Sequence, residues 1–244
     1  MANLRFYTHS ALTVGASVQL SESAAAHATR ALRLNVGDDA ILFNGDGFNY
    51  SCTLTEIKKS SVTAIVKSVT AVHNESPLNI TLVQAISSGD RMDFTIQKAV
   101  ELGVKNIQPI SSKRSVVKLS GERAEKRTEH WQNIAFSACE QSGRAYVPRV
   151  LAPTSLEQWL SHHPAVNNTR ILLNPIGAVR LTDIAKPTGE IQLLIGAEGG
   201  LSQEEIDLAS AHHFQSIVLG PRILRTETAA LTAIAAMQLA WGDF

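Results

Sequence analysis

The residues best suited to chemistry in this sequence sit in two short loops, each between an apolar run and a helix-like run. The first stretch is Ile191–Ile206, IQLLIGAEGGLSQEEI. A glycine turn that opens a helix ordinarily holds a phosphate on its backbone N–H groups. This turn carries Glu198 inside it, with Glu204 and Glu205 in the first helical turn. Three carboxylates make a phosphate an unsuitable ligand. Ser202-x-x-Glu205 reads as a capping box, which gives Glu205 a structural duty, and Glu204 complements the helix dipole. Glu198 precedes the cap and stands between glycines, so it is expected to face a ligand. That ligand carries positive charge, or neutral groups that accept from backbone N–H.

The second stretch is Ser216–Trp241, SIVLGPRILRTETAALTAIAAMQLAW. Gly220-Pro221 breaks the chain after an apolar run, and Arg222 and Arg225 follow. Thr226 is the expected N-cap of a helix from about Glu227 to Trp241. That helix is apolar on almost every side and must be buried, in the core or against a partner subunit.

These loops need a frame. From Pro77 onward, apolar runs (LNITLVQAI, NIQPI, RILLN, IQLLIG, SIVLG) alternate with helical segments, which predicts a mostly parallel α/β sheet covered on both faces. Strand-end loops of such a sheet lie side by side, and ligands bind outside the carboxyl ends of the strands. Leu173–Gly177 (LNPIG), IGAEGG and LGPRILRTE should therefore line one pocket. Its backbone can read adenine and ribose hydroxyls, a sulfonium or ammonium fits near Glu198, and a polar or anionic co-substrate fits Arg222 or Arg225. The first ~70 residues instead alternate with period two around the turn NGDG, which predicts a small β-barrel of about six strands. HNESPLN (His73–Asn79) is the natural linker.

Composition excludes several classes. The 244 residues balance 22 basic against 22 acidic side chains, with 44% hydrophobic content. No apolar run approaches the ~18 residues of a membrane span, and the N-terminus lacks the apolar core of a signal peptide. A cytoplasmic location is expected. Cys52 and Cys139 are too few for a disulfide framework, and His162-His163 and His212-His213 lack partners at ligand spacing, so no metal is expected. Charge is uneven: residues 77–150 hold eleven basic and seven acidic groups, a net of +4, and residues 151–244 hold five and nine, a net of −4. The densest basic stretch, Ser111–Arg127, includes Lys113 and Arg114 and suits a polyanion or an ordinary solvated face equally well.

LLIGAEGGLS followed by LGPRILRTETAALTAI, preceded by FTIQKAVELGV and ACEQSGR, resembles the RsmE family of 16S rRNA uridine-N3 methyltransferases in the SPOUT superfamily. HATRALRLNVGD extends the resemblance over essentially the whole chain. It implies a PUA-like RNA-binding barrel over 1–72 and a SPOUT methyltransferase domain with a trefoil knot over 73–244. It also implies S-adenosylmethionine as methyl donor, 16S rRNA or the small ribosomal subunit as partner, and a homodimer. The matching motifs place the cofactor against Leu172, Leu173, Asn174 and Pro175, then Ile195, Gly196, Ala197, Glu198, Gly199 and Gly200. The remaining contacts fall on Leu219, Gly220, Pro221, Ile223 and Leu224, with Thr226, Thr228 and Ala229. Ala197 stands where relatives are expected to carry proline, and Ile176 where some carry a polar residue. General topology rules argue against a knot; only the resemblance implies one.

A uracil N3 must be unpaired, and must lose its proton before or during attack on the sulfonium methyl. Arg225 first, and Arg222 second, are expected to stabilise the developing anion through hydrogen bonds to a carbonyl oxygen. Glu227 is expected to act as base or to orient an arginine, unless it only favours the helix start. Methylation at C5 would need a cysteine, and Cys139, inside an apolar helical stretch, reads as packing. Arg5, Arg30 and Arg33 are expected to contact RNA phosphates, with surface salt bridges as the alternative. Arg144 is expected as an RNA or active-site contact, with an ordinary helix C-terminus as the alternative. Two other functions compete: an enzyme on a nucleotide cofactor, weakened by the absence of GxGxxG in ISSGDRMDF, and a non-catalytic RNA-binding protein.

Overall fold

The computed structural model describes residues 4–58, 61–174, 176 and 178–244. The chain divides into two compact units. One comprises 1–75 with 136–147, and the other 76–135 with 148–244.

In the first unit, β1 (Arg5–Tyr7), β2 (Ser17–Gln19), β3 (Asp39–Phe43), β4 (Phe48–Ile57) and β5 (Val62–Ala71) form one sheet in the order β1-β3-β4-β5-β2. Five strands appear among the described residues where about six were expected. The NGDG turn joins β3 to β4 in antiparallel register, with Gly45 and Gly47 at φ of 94° and 93°. Only glycine adopts that conformation without strain. α1 (Glu22–Ala26), capped by the Ser21 hydroxyl, runs on as a π-helical turn through His27–Ala31. Alternate residues of β4 and β5 point inward onto Phe6, Leu42 and Leu54, which are buried. That period-two pattern is what made this half legible as β structure.

Among the described residues, the strands of the second unit pair in parallel. Its strands are β6 (Asn79–Ala85), β7 (Asn106–Ser111), β8 (Arg149–Val150), β9 (Thr154–Ser155), β10 (Asn168–Leu173), β11 (Val179–Arg180), β12 (Glu190–Ile195) and β13 (Gln215–Val218). The order is β11-β13-β10-β12-β6-β7-β8, with β9 also on β7. β6 is buried at six of its seven residues, as a strand covered on both faces must be. The helices are α2 (Asp90–Glu101), α3 (Gly121–Ser142), α4 (Leu156–His162), α5 (Gln203–Ala211) and α6 (Thr226–Trp241). The last seven residues of α3, 136–142, fall in the first unit.

Two features set up the site. β13 pairs with β10 rather than with its sequence neighbour β12, so the loops after β10, β12 and β13 come together at one end of the sheet. α6 packs on α2, with Ala230, Ala233, Ile234 and Met237 buried, and Gln238 ties it to the Leu102 carbonyl and the Ser76 hydroxyl.

Candidate functional site

The loop after β12 is a tight turn whose Gly200 N–H returns to the Ala197 carbonyl at 2.8 Å. A Cβ on Gly196 would lie 2.8 Å from the Gly200 carbonyl carbon, and Gly200 adopts φ of 70°, so both positions require glycine. Ala197 is buried in the core between the sheet, α4 and α5, which anchors the turn without a proline.

Each of the three carboxylates already has donors from its own chain. Glu198 Oε1 accepts from the Ser88 N–H (2.9 Å), the Ser88 hydroxyl (2.8 Å) and Arg91 Nη1 (3.0 Å). Burial pushes its pKa up, but the Ser88 N–H, its own N–H, the Ser88 hydroxyl and Arg91 together outweigh it and hold the group below the usual carboxylate range. Glu205 completes the expected capping box with Ser202 and also accepts from the Lys113 N–H at 2.7 Å. Glu204 pairs with the Lys113 ammonium. The Arg114 guanidinium donates to the Gly199 carbonyl at 2.8 Å. Arg114, expected at an RNA surface, is thus brought onto the glycine turn, and Lys113, expected there too, onto the first turn of α5.

Thr226 was expected as the cap of the last helix. It is instead the first helical residue, and Arg225 occupies the cap position without a side-chain hydrogen bond. The Thr226 hydroxyl has another use: it donates to the Gly196 carbonyl at 2.6 Å and accepts from Gln84 Nε2 at 3.0 Å.

Two adjoining cavities open beside the turn. The larger, about 470 Å³, is walled by Leu173, Ile195–Gly200, Ile217–Gly220, Arg222–Leu224, Thr226, Ala229 and Arg114. The smaller, about 310 Å³, takes Leu172, Asn174 and Ile176 and reaches Gln203 and Ile206. Among the expected cofactor contacts, Pro221 and Thr228 line neither cavity, and Pro175 lies outside the described residues. Of the expected catalytic groups only Arg222 is on the wall. Arg225 is exposed beside it, and Glu227 is half-buried with Oε2 enclosed and unpartnered. Ser88, Arg91 and Gln84 were missed by the sequence reading. The serine-rich ISSGD loop after β6, set aside for lacking a dinucleotide fingerprint, was the signal available.

In the first unit, Arg30 and Arg33 are exposed. Arg5 and Arg144 are not free surface groups. Arg5 bonds Asn49 (2.6 Å) and the Arg144 carbonyl (3.0 Å) and lies over the Phe43 ring. Arg144 is 4% exposed and makes a bidentate pair with Glu75 at 2.8 and 2.7 Å. Burial pushes the Cys139 thiol up to about 12, which leaves it a poor nucleophile. Among the described residues, no group of three or more His, Cys, Asp or Glu side chains is placed to hold a metal, and no helix is long and apolar enough to cross a membrane.

The sequence model of the RNA methyltransferase domain matches residues 74–238, and that of the RNA methyltransferase PUA domain matches residues 20–67. The chain is 34% identical over 239 residues to the ribosomal RNA small subunit methyltransferase E of Buchnera aphidicola, covering 98% of this chain and 97% of the other. The Bacillus subtilis protein of the same name is 34% identical over 218 residues, 86% of this chain and 85% of the other. Among solved structures, that enzyme from Neisseria gonorrhoeae, bound to S-adenosyl methionine, superposes with a TM-score of 0.92 at 46% identity, over 99% of both chains. A Legionella pneumophila methyltransferase in complex with the same cofactor gives 0.95 at 39% identity over the full length of both. A parallel α/β unit with its strand-end cavity, a curled N-terminal sheet and these likenesses lead to one assignment: the chain belongs to the RsmE family, the ribosomal RNA small subunit methyltransferases E, with a SPOUT α/β domain and a PUA-like domain.

Proposed function

We propose that the chain methylates N3 of a uridine in 16S ribosomal RNA, with S-adenosylmethionine as donor. The observation that carries this reading is the cavity of about 470 Å³ walled by the three strand-end loops. Its glycine cradle fits the cofactor. The cofactor's adenine and ribose offer donors and acceptors to the backbone groups of the three loops that wall the cavity. The holding residues would be Leu172–Asn174, Ile195–Gly200, Leu219–Leu224, Thr226 and Ala229. When bound, the donor supplies an electrophilic methyl group.

The rest of the chemistry belongs to the chain. Most of the rate should come from holding N3 in line with the methyl group. Arg225 at the cap of α6 and Arg222 in the loop before it are both exposed and have no ion-pair partner among the described residues. Either guanidinium can stabilise a uracil carbonyl as the N3 proton leaves. Glu227 is the candidate acceptor of that proton. An enclosed carboxylate oxygen without a donor is costly, and such groups are retained at sites of chemistry. Arg30 and Arg33 supply phosphate contacts from the PUA-like domain. The exposed Ile223, Leu239 and Phe244 support a homodimer, and the ribosomal substrate supports a cytoplasmic location.

The test is to incubate the protein with methyl-labelled donor and small-subunit RNA or assembled subunits, digest, and separate the nucleosides by mass spectrometry. 3-Methyluridine is expected. Label on uracil C5, on ribose, or on no nucleoside overturns the proposal.

A further inference from the structure

A cradle made of backbone groups works only while its backbone is held in place. The glycine turn after β12 has one internal hydrogen bond, Gly200 N–H to Ala197 O at 2.8 Å, and is otherwise held from outside. Three elements each hold one residue of this loop. Thr226 of α6 takes the Gly196 carbonyl, Arg114 of the β7–α3 loop takes the Gly199 carbonyl, and Ser88 and Arg91 at the start of α2 take the Glu198 carboxylate. Of the three hydrogen-bonded handles, Glu198 is the one in which a side chain, rather than a carbonyl, is held, beside the apolar anchor of Ala197.

We infer that Glu198 is a positioning residue of the cofactor cavity, and that Ser88 and Arg91 act through it to set the glycine turn. This rests on the reading of that cavity as the S-adenosylmethionine site. Arg91 balances the Glu198 charge at 3.0 Å, so the carboxylate has little to offer a sulfonium. The other charged groups on the cavity wall are Arg114 and Arg222, both cationic. The cavity therefore selects its ligand by shape and backbone hydrogen bonding, not by the charge on sulfur. It should bind S-adenosylmethionine and its uncharged thioether product, S-adenosylhomocysteine, with affinities within about tenfold of each other.

The test is calorimetric titration of both ligands into wild type, Glu198→Ala, Glu198→Gln, Arg91→Met and Arg91→Lys, with thermal unfolding alongside. Glu198→Ala removes the acceptor of charge-assisted bonds and should weaken both ligands in parallel, by about tenfold. Glu198→Gln keeps an acceptor for Ser88 and should weaken both less. Arg91→Met should do the same, Arg91→Lys should recover part of the loss, and the Ala–Met double variant should add little to Glu198→Ala, because both changes act on one contact. A loss confined to the sulfonium ligand would make Glu198 a ligand contact and overturn the inference. Unchanged affinities with only a lower melting temperature would overturn it as well. Wild type binding neither ligand would instead remove the cofactor reading, and this inference with it.

Discussion

The Thr226 hydroxyl donates to the Gly196 carbonyl at 2.6 Å, joining the first residue of α6 to the first residue of the glycine turn. The same oxygen accepts from Gln84 Nε2, and Gln84 is fully buried. Thr226→Val keeps the shape and leaves both partners short of a bond. It should cost about 2 kcal/mol or more of stability and weaken cofactor binding. Thr226→Ser keeps the hydroxyl and should stay close to wild type in both. Thermal unfolding and calorimetric titration read the two effects, and equal behaviour of the two variants would refute the assigned role.

Arg144 and Glu75 form a pair whose side chains are 4% and 13% exposed. Glu75→Ala withdraws the carboxylate from a buried guanidinium and should cost about 3–5 kcal/mol. The salt dependence of RNA binding should not change, because Arg144 is not a surface cation. Denaturant unfolding measures the first, and binding titrations at several salt concentrations measure the second.

Arg30 and Arg33 are exposed, and each should contribute as a phosphate contact. Replacing either by alanine should reduce the slope of log affinity against log salt by about 0.7–0.9. Loss should be similar across RNA sequences, since such contacts position and do not specify. An unchanged slope in the double variant would place the RNA elsewhere.

Glu140 lies in the last turns of α3 and accepts from the Tyr7 N–H at 2.9 Å. Burial raises its pKa; the Tyr7 N–H, His27 and Arg5 oppose the rise without cancelling it. A carboxyl whose folded pKa exceeds its unfolded value binds protons more tightly in the native state. It therefore costs stability above the folded pKa, and the cost fades as pH falls toward the unfolded value. Glu140→Gln keeps an acceptor for Tyr7 and should stabilise the protein at pH 7. The gain should shrink as pH is lowered to about 4. Melting temperatures of both proteins across that range check the sign.

The sequence alone determined those parts of the molecule that depend on local pattern. Period-two alternation around NGDG specified the β3–β4 hairpin, and Ser202-x-x-Glu205 specified the start of α5, because turns and caps are made by residues within a few positions of one another. The glycine turn and the GPRILRTETA loop were legible as neighbours, since the ends of parallel strands in one sheet share an edge. What only the tertiary structure decided is what each charged side chain does. Glu198 meets Ser88 and Arg91, 110 and 107 positions away, and Arg144 meets Glu75 across 69. Nothing in local spacing distinguishes a carboxylate awaiting a ligand from one already paired, because its partner arrives with another strand. For the same reason the bonds that Arg5 and Arg144 make within the first unit could not be read from the sequence around them.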